Sequence, residues 1–155
     1  PEEVKAAAAA GDVKAYKLYP AGATTNSASG VTDYARIAPA LGAMEECGLI
    51  LCVHGEVTDP EVDIFDRERV FVRDKLPMLR AMAPNLKMVL EHLSTREAVE
   101  AVLAAAAADG SEDALMWGHF YVGLYLEALG NHARARGHFE RGDRRRERGL
   151  QGHHD

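Results

Sequence analysis

The chain has 155 residues, 47% of them hydrophobic and 27% charged, with a formal net charge of −6. This balance fits one globular domain with at most a small appendage, and excludes a disordered or collagen-like chain. No apolar run reaches the roughly 18 residues that span a bilayer. The alanine run at 6–10 is short and follows acidic Glu2 and Glu3, so no signal peptide is expected. Charge is uneven: residues 131–155 hold seven arginines and four acidic residues, a net of +3 that leaves −9 for the remainder. An acidic body with an Arg-rich tail suggests two sources of sequence. The start at Pro1 points to a processed chain or a fragment. Cys47 and Cys52 make no disulfide framework and read as free thiols in a reducing compartment.

Three short apolar runs read as buried strands: Val13 to Tyr19, Leu49 to Val53 and Leu86 to Leu90. Helical patterns follow each of them. Thr32 to Cys47 carries Ile37, Leu41 and Met44 on one face and stops at Gly48. Asp63 to Met82 carries Ile64, Phe65, Val70, Phe71, Leu76 and Leu79. Ser94 and Thr95 read as the N-cap of a third helix that runs on through the alanines at 101–108. Alternation of strand and helix predicts parallel βαβ units. Asp109-Gly110-Ser111 reads as a break, followed by helical patterns over Ala114 to Leu129 and Ala133 to Arg146 around a Gly130-Asn131 turn.

Each strand run ends in a residue able to bind metal. Lys17 is near the end of the first, His54 follows the second, and His92 follows the third beside Glu91. His54 lies 37 residues after Lys17, and His92 lies 38 after His54. Successive units of an eight-unit barrel average about 31 residues, more with insertions, and such barrels build active sites at strand C-terminal ends; the spacing fits a barrel without excluding an open doubly wound sheet. A single histidine at a strand end is more often only a hydrogen-bonded structural residue. Three competent residues at equivalent places form a pattern. A lysine inside an apolar strand loses charge to desolvation, so its amine can become neutral and nucleophilic. Neutral imidazoles suit zinc.

The strings KLYPAGATTNS at 17–27, VHGEVTDPEVDIFDRE at 53–68 and EHLSTREA at 91–98 resemble dihydroorotase, of the shorter single-function bacterial and plant type. The resemblance covers residues 1 to about 107. It implies a partial (β/α)8 barrel of about three parallel units within the α/β class. It implies that Lys17 is the carboxylated lysine bridging two zinc ions, that His54 and His92 bind the second zinc, and that Thr24 and Thr25 lie on a mobile loop over the substrate. Glu56 is expected to orient a ligand from behind. Asp63, Asp66, Arg67 and Glu68 read as helix-start charges and helical pairs. The implied reaction is the reversible cyclisation of N-carbamoyl-L-aspartate to dihydroorotate in pyrimidine synthesis. The family's His-x-His pair for the first zinc, its late aspartate and its early arginine and asparagine have no counterpart here. The isolated chain is therefore expected to be inactive and to hold at most one zinc.

The expected organisation is a barrel segment at 1–108, a junction at 109–113, a helical hairpin at 114–148 and a disordered tail at 149–155. Gly123, Gly130, Ala135, Phe139 and Gly142 are spaced as in a tetratricopeptide repeat, a resemblance that makes a protein partner at these helices the alternative function. Otherwise the expected partner is the small-molecule substrate, with no nucleic acid and no membrane, in the cytoplasm or, in a eukaryote, an organelle. The arginines at 144–146 read as a solvated helix end, since Glu140, Asp143 and Glu147 interleave with them. His119, His132 and His138 share no metal-binding spacing along the chain.

Overall fold

The computed structural model describes residues 1–110 and 112–151, with side chains at 112–117 and 145–151 outside the described set. The chain divides into two compact units, Pro1–Thr95 and Arg96–Asp155.

The first unit opens with a helix that no predicted element anticipated, α1 (Glu2–Ala10). Alanine has the highest helix propensity, and Glu2 and Glu3 sit at the positive end of the helix dipole. Gly11, at φ 81, closes it. Three strands follow as β1 (Ala15–Leu18), β2 (Ile50–Val53) and β3 (Lys87–Leu90), each shorter than its apolar run. They form one sheet in the order β1-β2-β3, all parallel. The predicted α/β class with three parallel βα units is therefore what the chain adopts.

Side chains alternate across a strand, so every second residue shares a face. Leu18, Leu51 and Val53 are buried, and Tyr16, Met88 and Leu90 pack against the same core. The opposite face carries Lys17, Cys52 and Val89 in register. Val89 is 47% exposed there. A parallel sheet ordinarily buries both faces. Three strands cannot close a barrel, so the face that would line its interior stays open.

The first predicted helix begins as a single 3-10 turn, Tyr34–Ile37, with the Asp33 carboxylate accepting the Ala35 N–H at 2.9 Å. It continues as α2 (Ala38–Glu46), which buries Leu41, Ala43 and Met44. The second predicted helix starts four residues later than expected. Its pieces are α3 (Arg67–Val70), a π-turn at Phe71–Lys75 and α4 (Leu76–Met82). Ile64 and Phe65, assigned to its apolar face, lie instead in the preceding loop, 64% and 83% exposed. The Asp63 carboxylate accepts the Phe65 N–H at 2.9 Å and holds that loop in a turn. Pro77 explains the π-turn: it lacks an N–H and its ring crowds the carbonyl four residues back, at Arg73, within the widened turn. Phe71 and Leu79 are nonetheless fully buried.

The second unit consists of α5 (Arg96–Asp109), α6 (Glu112–Ala128) and α7 (His132–Gln151). Gly110 and Gly130 take φ values of 73 and 72 and end α5 and the α6 region. Val122, Leu126 and Ala135 form its core, with Val99, Leu103, Tyr125 and Phe139 packed around them. A Cβ on Gly123 would meet the Phe139 ring at 2.5 Å, so the helices approach as closely as they do only because that residue is glycine. The helix α7 runs to Gln151, past the boundary expected for a tail, and residues 152–155 lie outside those described, as do the side chains of Met116 and Trp117. No helix among the described residues is long and apolar enough to cross a membrane.

Candidate metal centre

The ends of the three strands carry the polar residues that the sequence singles out. The ladder extends one residue past β1 and β2: His54 N–H donates to the Leu18 carbonyl at 3.0 Å, and Glu91 N–H donates to the Val53 carbonyl at 3.1 Å. Those bonds hold His54 and Glu91 at the C-terminal edge of the sheet. His92 then takes φ 39, a left-handed conformation uncommon outside glycine. This turn brings its ring back to His54, with His54 Nδ1 and His92 Nε2 at 3.0 Å and ring centroids 4.6 Å apart.

Lys17 joins this pair through Tyr19. Its Nζ lies 5.0 Å from the Tyr19 ring centre, and that ring lies 5.9 Å from the His54 ring. Burial lowers the Lys17 amine below its ordinary value, while the neighbouring Cys52 thiol raises it. Lys17 also forms an ion pair with Glu91, an opposite charge that favours the ammonium form. Burial lowers His54 as well, helped by the charges of His92 and Lys17 and opposed by Glu56. The net effect favours the neutral His54 ring, the form that binds metal.

The Glu56 carboxylate stands 3.8 Å from His54 Nε2, beyond hydrogen-bond distance, so it acts there as a charge and makes no hydrogen bond to the ring. His54 Nε2 is buried with no hydrogen-bond partner. A buried polar atom without a partner calls for an explanation, and a bound ion is one such explanation. His54 faces His92 through its other nitrogen, Nδ1, and that separation lets both rings reach one zinc at ~2.0–2.1 Å, a position distinct from one at Nε2. These residues fit part of a zinc site. Among the described residues no three His, Cys, Asp or Glu side chains converge on a metal position.

Thr24 and Thr25 are exposed on the loop after β1. Thr24 N–H donates to Ser27 Oγ at 2.9 Å, and Ser27 Oγ donates back to the Thr24 carbonyl at 2.7 Å. Among the described residues neither threonine hydrogen-bonds to Lys17, His54 or His92. The loop closes at its base, where Ala21 N–H donates to the Val31 carbonyl and Val31 N–H to that of Tyr19.

Sequence reasoning missed two carboxylates. Glu91 could have been found from register, since it lies two residues beyond Val89 on the face of Lys17. Glu68, read as a helix-start charge, is buried. Its carboxylate accepts the N–H groups of Ser94 and Thr95 and the Thr95 hydroxyl at 2.6–3.0 Å. The predicted cap residues thus serve to fasten the loop after His92 to α3. These partners are 26 and 27 residues away, and no local signal marks them.

The chain's three parallel βα units carry a lysine and two imidazoles at their C-terminal ends, as successive units of a (β/α)8 barrel would. No family model matches the chain. Over 106 residues, 68% of the chain, it is 58% identical to a dihydroorotase of Shewanella sp. (strain ANA-3), and over 102 residues 61% identical to one of Cereibacter sphaeroides. Among solved structures it resembles dihydroorotase from Saccharomyces cerevisiae in complex with 5-fluoroorotic acid. That match has a TM-score of 0.62 at 34% identity and covers 69% of this chain and 31% of the other. A dihydroorotase from Campylobacter jejuni matches with a TM-score of 0.59 at 35% identity, covering 66% of this chain and 29% of the other. The matched two thirds of the chain is dihydroorotase-like in sequence and in fold. The chain spans 31% of the length of these curated relatives, or 30% for that of Cereibacter.

Proposed function

We propose that the chain carries the central part of a zinc-dependent dihydroorotase, which interconverts N-carbamoyl-L-aspartate and dihydroorotate in pyrimidine synthesis. The observation that carries this reading is the cluster of Lys17, His54 and His92 at the ends of consecutive parallel strands, within a segment 58% identical to named dihydroorotases. On this reading residues 1–108 are the barrel segment and 114–148 the helical hairpin, although α5 packs in one unit with that hairpin.

His54 and His92 are the residues that would hold zinc, with Lys17 as a third donor. Desolvation favours the neutral Lys17 amine, which can attack carbon dioxide, form an N–C bond, lose a proton to solvent and become a carbamate. That anion would repel Glu91, so carboxylation requires the present Lys17–Glu91 pair to part. Thr24 and Thr25 would close over substrate, and Glu56 would bias the orientation of His54. Zinc, when bound, polarises an amide carbonyl and lowers the pKa of its water. The donors for the other zinc are not supplied by this sequence, so the 155-residue polypeptide by itself is expected to be inactive.

Metal analysis of the purified chain with and without His54→Asn and His92→Asn tests this. The expected result is at most one weakly held zinc at the strand ends, lost in either variant, and no dihydroorotate hydrolysis. Two tightly held zinc ions at the strand ends, or measurable turnover, would overturn the expected inactivity; zinc binding unchanged in both variants would overturn the assignment of His54 and His92.

A further inference from the structure

The second unit holds another imidazole pair, unrelated to the strand ends. His119 on α6 and His138 on α7 face each other, with Nδ1 to Nδ1 at 3.1 Å and ring centroids 5.2 Å apart. Their spacing along the chain gave no hint of this. Helix periodicity accounts for it. His119 precedes the buried Val122 by three residues and Leu126 by seven, and His138 follows the buried Ala135 by three. Residues three, four and seven apart share a helix face. Both rings therefore sit on the seam where α6 and α7 pack, and both are half-buried.

We propose that His119 and His138 form a two-imidazole site for a borderline divalent transition metal, with water or a small anion completing the coordination. Two nitrogens 3.1 Å apart, each ~2.05 Å from one metal, subtend about 98° at that metal, between the square-planar and tetrahedral values. Two facing helices are a known setting for metal sites, because packing of the helices pre-positions the ligands. The rings must be unprotonated to bind. Burial pulls His138 down to about 4, and Arg141, His119 and Arg134 act in the same direction. The same guanidinium groups repel a cation. The site is therefore weak, and it ranks copper(II) above zinc. It is additional to whatever the strand-end histidines hold.

The test is a zinc chloride titration of the full ¹⁵N-labelled chain, read through the ring nitrogens of each histidine by long-range ¹H–¹⁵N correlation. The His119 and His138 signals should shift together, saturating near one equivalent for that pair. In His138→Gln the zinc concentration that shifts His119 should rise at least tenfold, while His132→Gln should leave the pair's response unchanged. The reciprocal variant His119→Gln, read at His138, keeps the test valid if His138→Gln does not fold. The proposal is overturned if His119 responds to the same zinc concentration in His138→Gln. It is equally overturned if neither ring moves while the signals of His54, His92 or the terminal histidines do.

Discussion

Replacing Glu68 by Gln probes the contact that fastens the loop after His92. The buried carboxylate accepts two backbone N–H groups and one hydroxyl. A glutamine keeps the shape and one acceptor oxygen, but turns an N–H₂ toward groups that are themselves donors. A hydrogen bond to a charged acceptor contributes roughly 1.5–3 kcal/mol, and a donor left unsatisfied costs about 1–3. Losing one of the three bonds while the remaining acceptor oxygen keeps the other two should therefore cost about 2–3 kcal/mol. The effect should be local as well as global, because His92 sits at φ 39, a conformation that costs of order 1–3 kcal/mol and persists only where its surroundings enforce it. Amide hydrogen exchange at Ser94 and Thr95 should then accelerate roughly 30- to 150-fold, with a lower urea midpoint for the whole chain. Asp66→Asn is the control, since the exposed Asp66–Arg69 pair at 2.9 Å should contribute under about 1 kcal/mol. Exchange at Ser94 and Thr95 within about threefold of the parent in Glu68→Gln would refute the reasoning.

Two glycines should respond with opposite signs to the same change. A Cβ on Gly30 would lie 2.6–2.9 Å from backbone atoms of Tyr19, Pro20 and Ala21, so Gly30→Ala should destabilise by about 1–3 kcal/mol. A Cβ on Gly42 in α2 meets nothing within 4 Å, so Gly42→Ala should stabilise by about 0.5–1 kcal/mol, both read as shifts in urea midpoint. Burial against the core raises the Tyr34 hydroxyl to about 12 from its ordinary 10, with a further push from Asp59. A group whose folded value is raised stabilises fully below its unfolded value and loses that contribution as pH rises toward the folded one. Stability should therefore fall between pH 10 and 12 in the parent and fall less in Tyr34→Phe; equal slopes in alkaline urea titrations would contradict the assignment.

The lysine and both strand-end histidines were legible because they combine a chemical type with a position that recurs every 37 or 38 residues. The apolar strings flanking them identify parallel strands, and strand ends are where such folds place reactive groups. Ile64 and Phe65 misled because helical periodicity cannot distinguish a helix face from an apolar loop held by an Asx turn. The helix α1 was passed over because an alanine run without an apolar stripe gives no amphipathic signal.

Local chemistry alone determined that this chain alternates strand and helix, that the strands are parallel, and which residues mark their ends. Propensity and periodicity act over a few residues and are written there. Only the tertiary structure decided that His92 turns back onto His54, that Glu91 meets Lys17, that Glu68 grips Ser94 and Thr95, and that His119 finds His138. Each of those contacts joins residues 19 to 74 positions apart. Such pairs depend on sheet register and helix packing, which are settled by burial of the whole core and by no short stretch of the sequence.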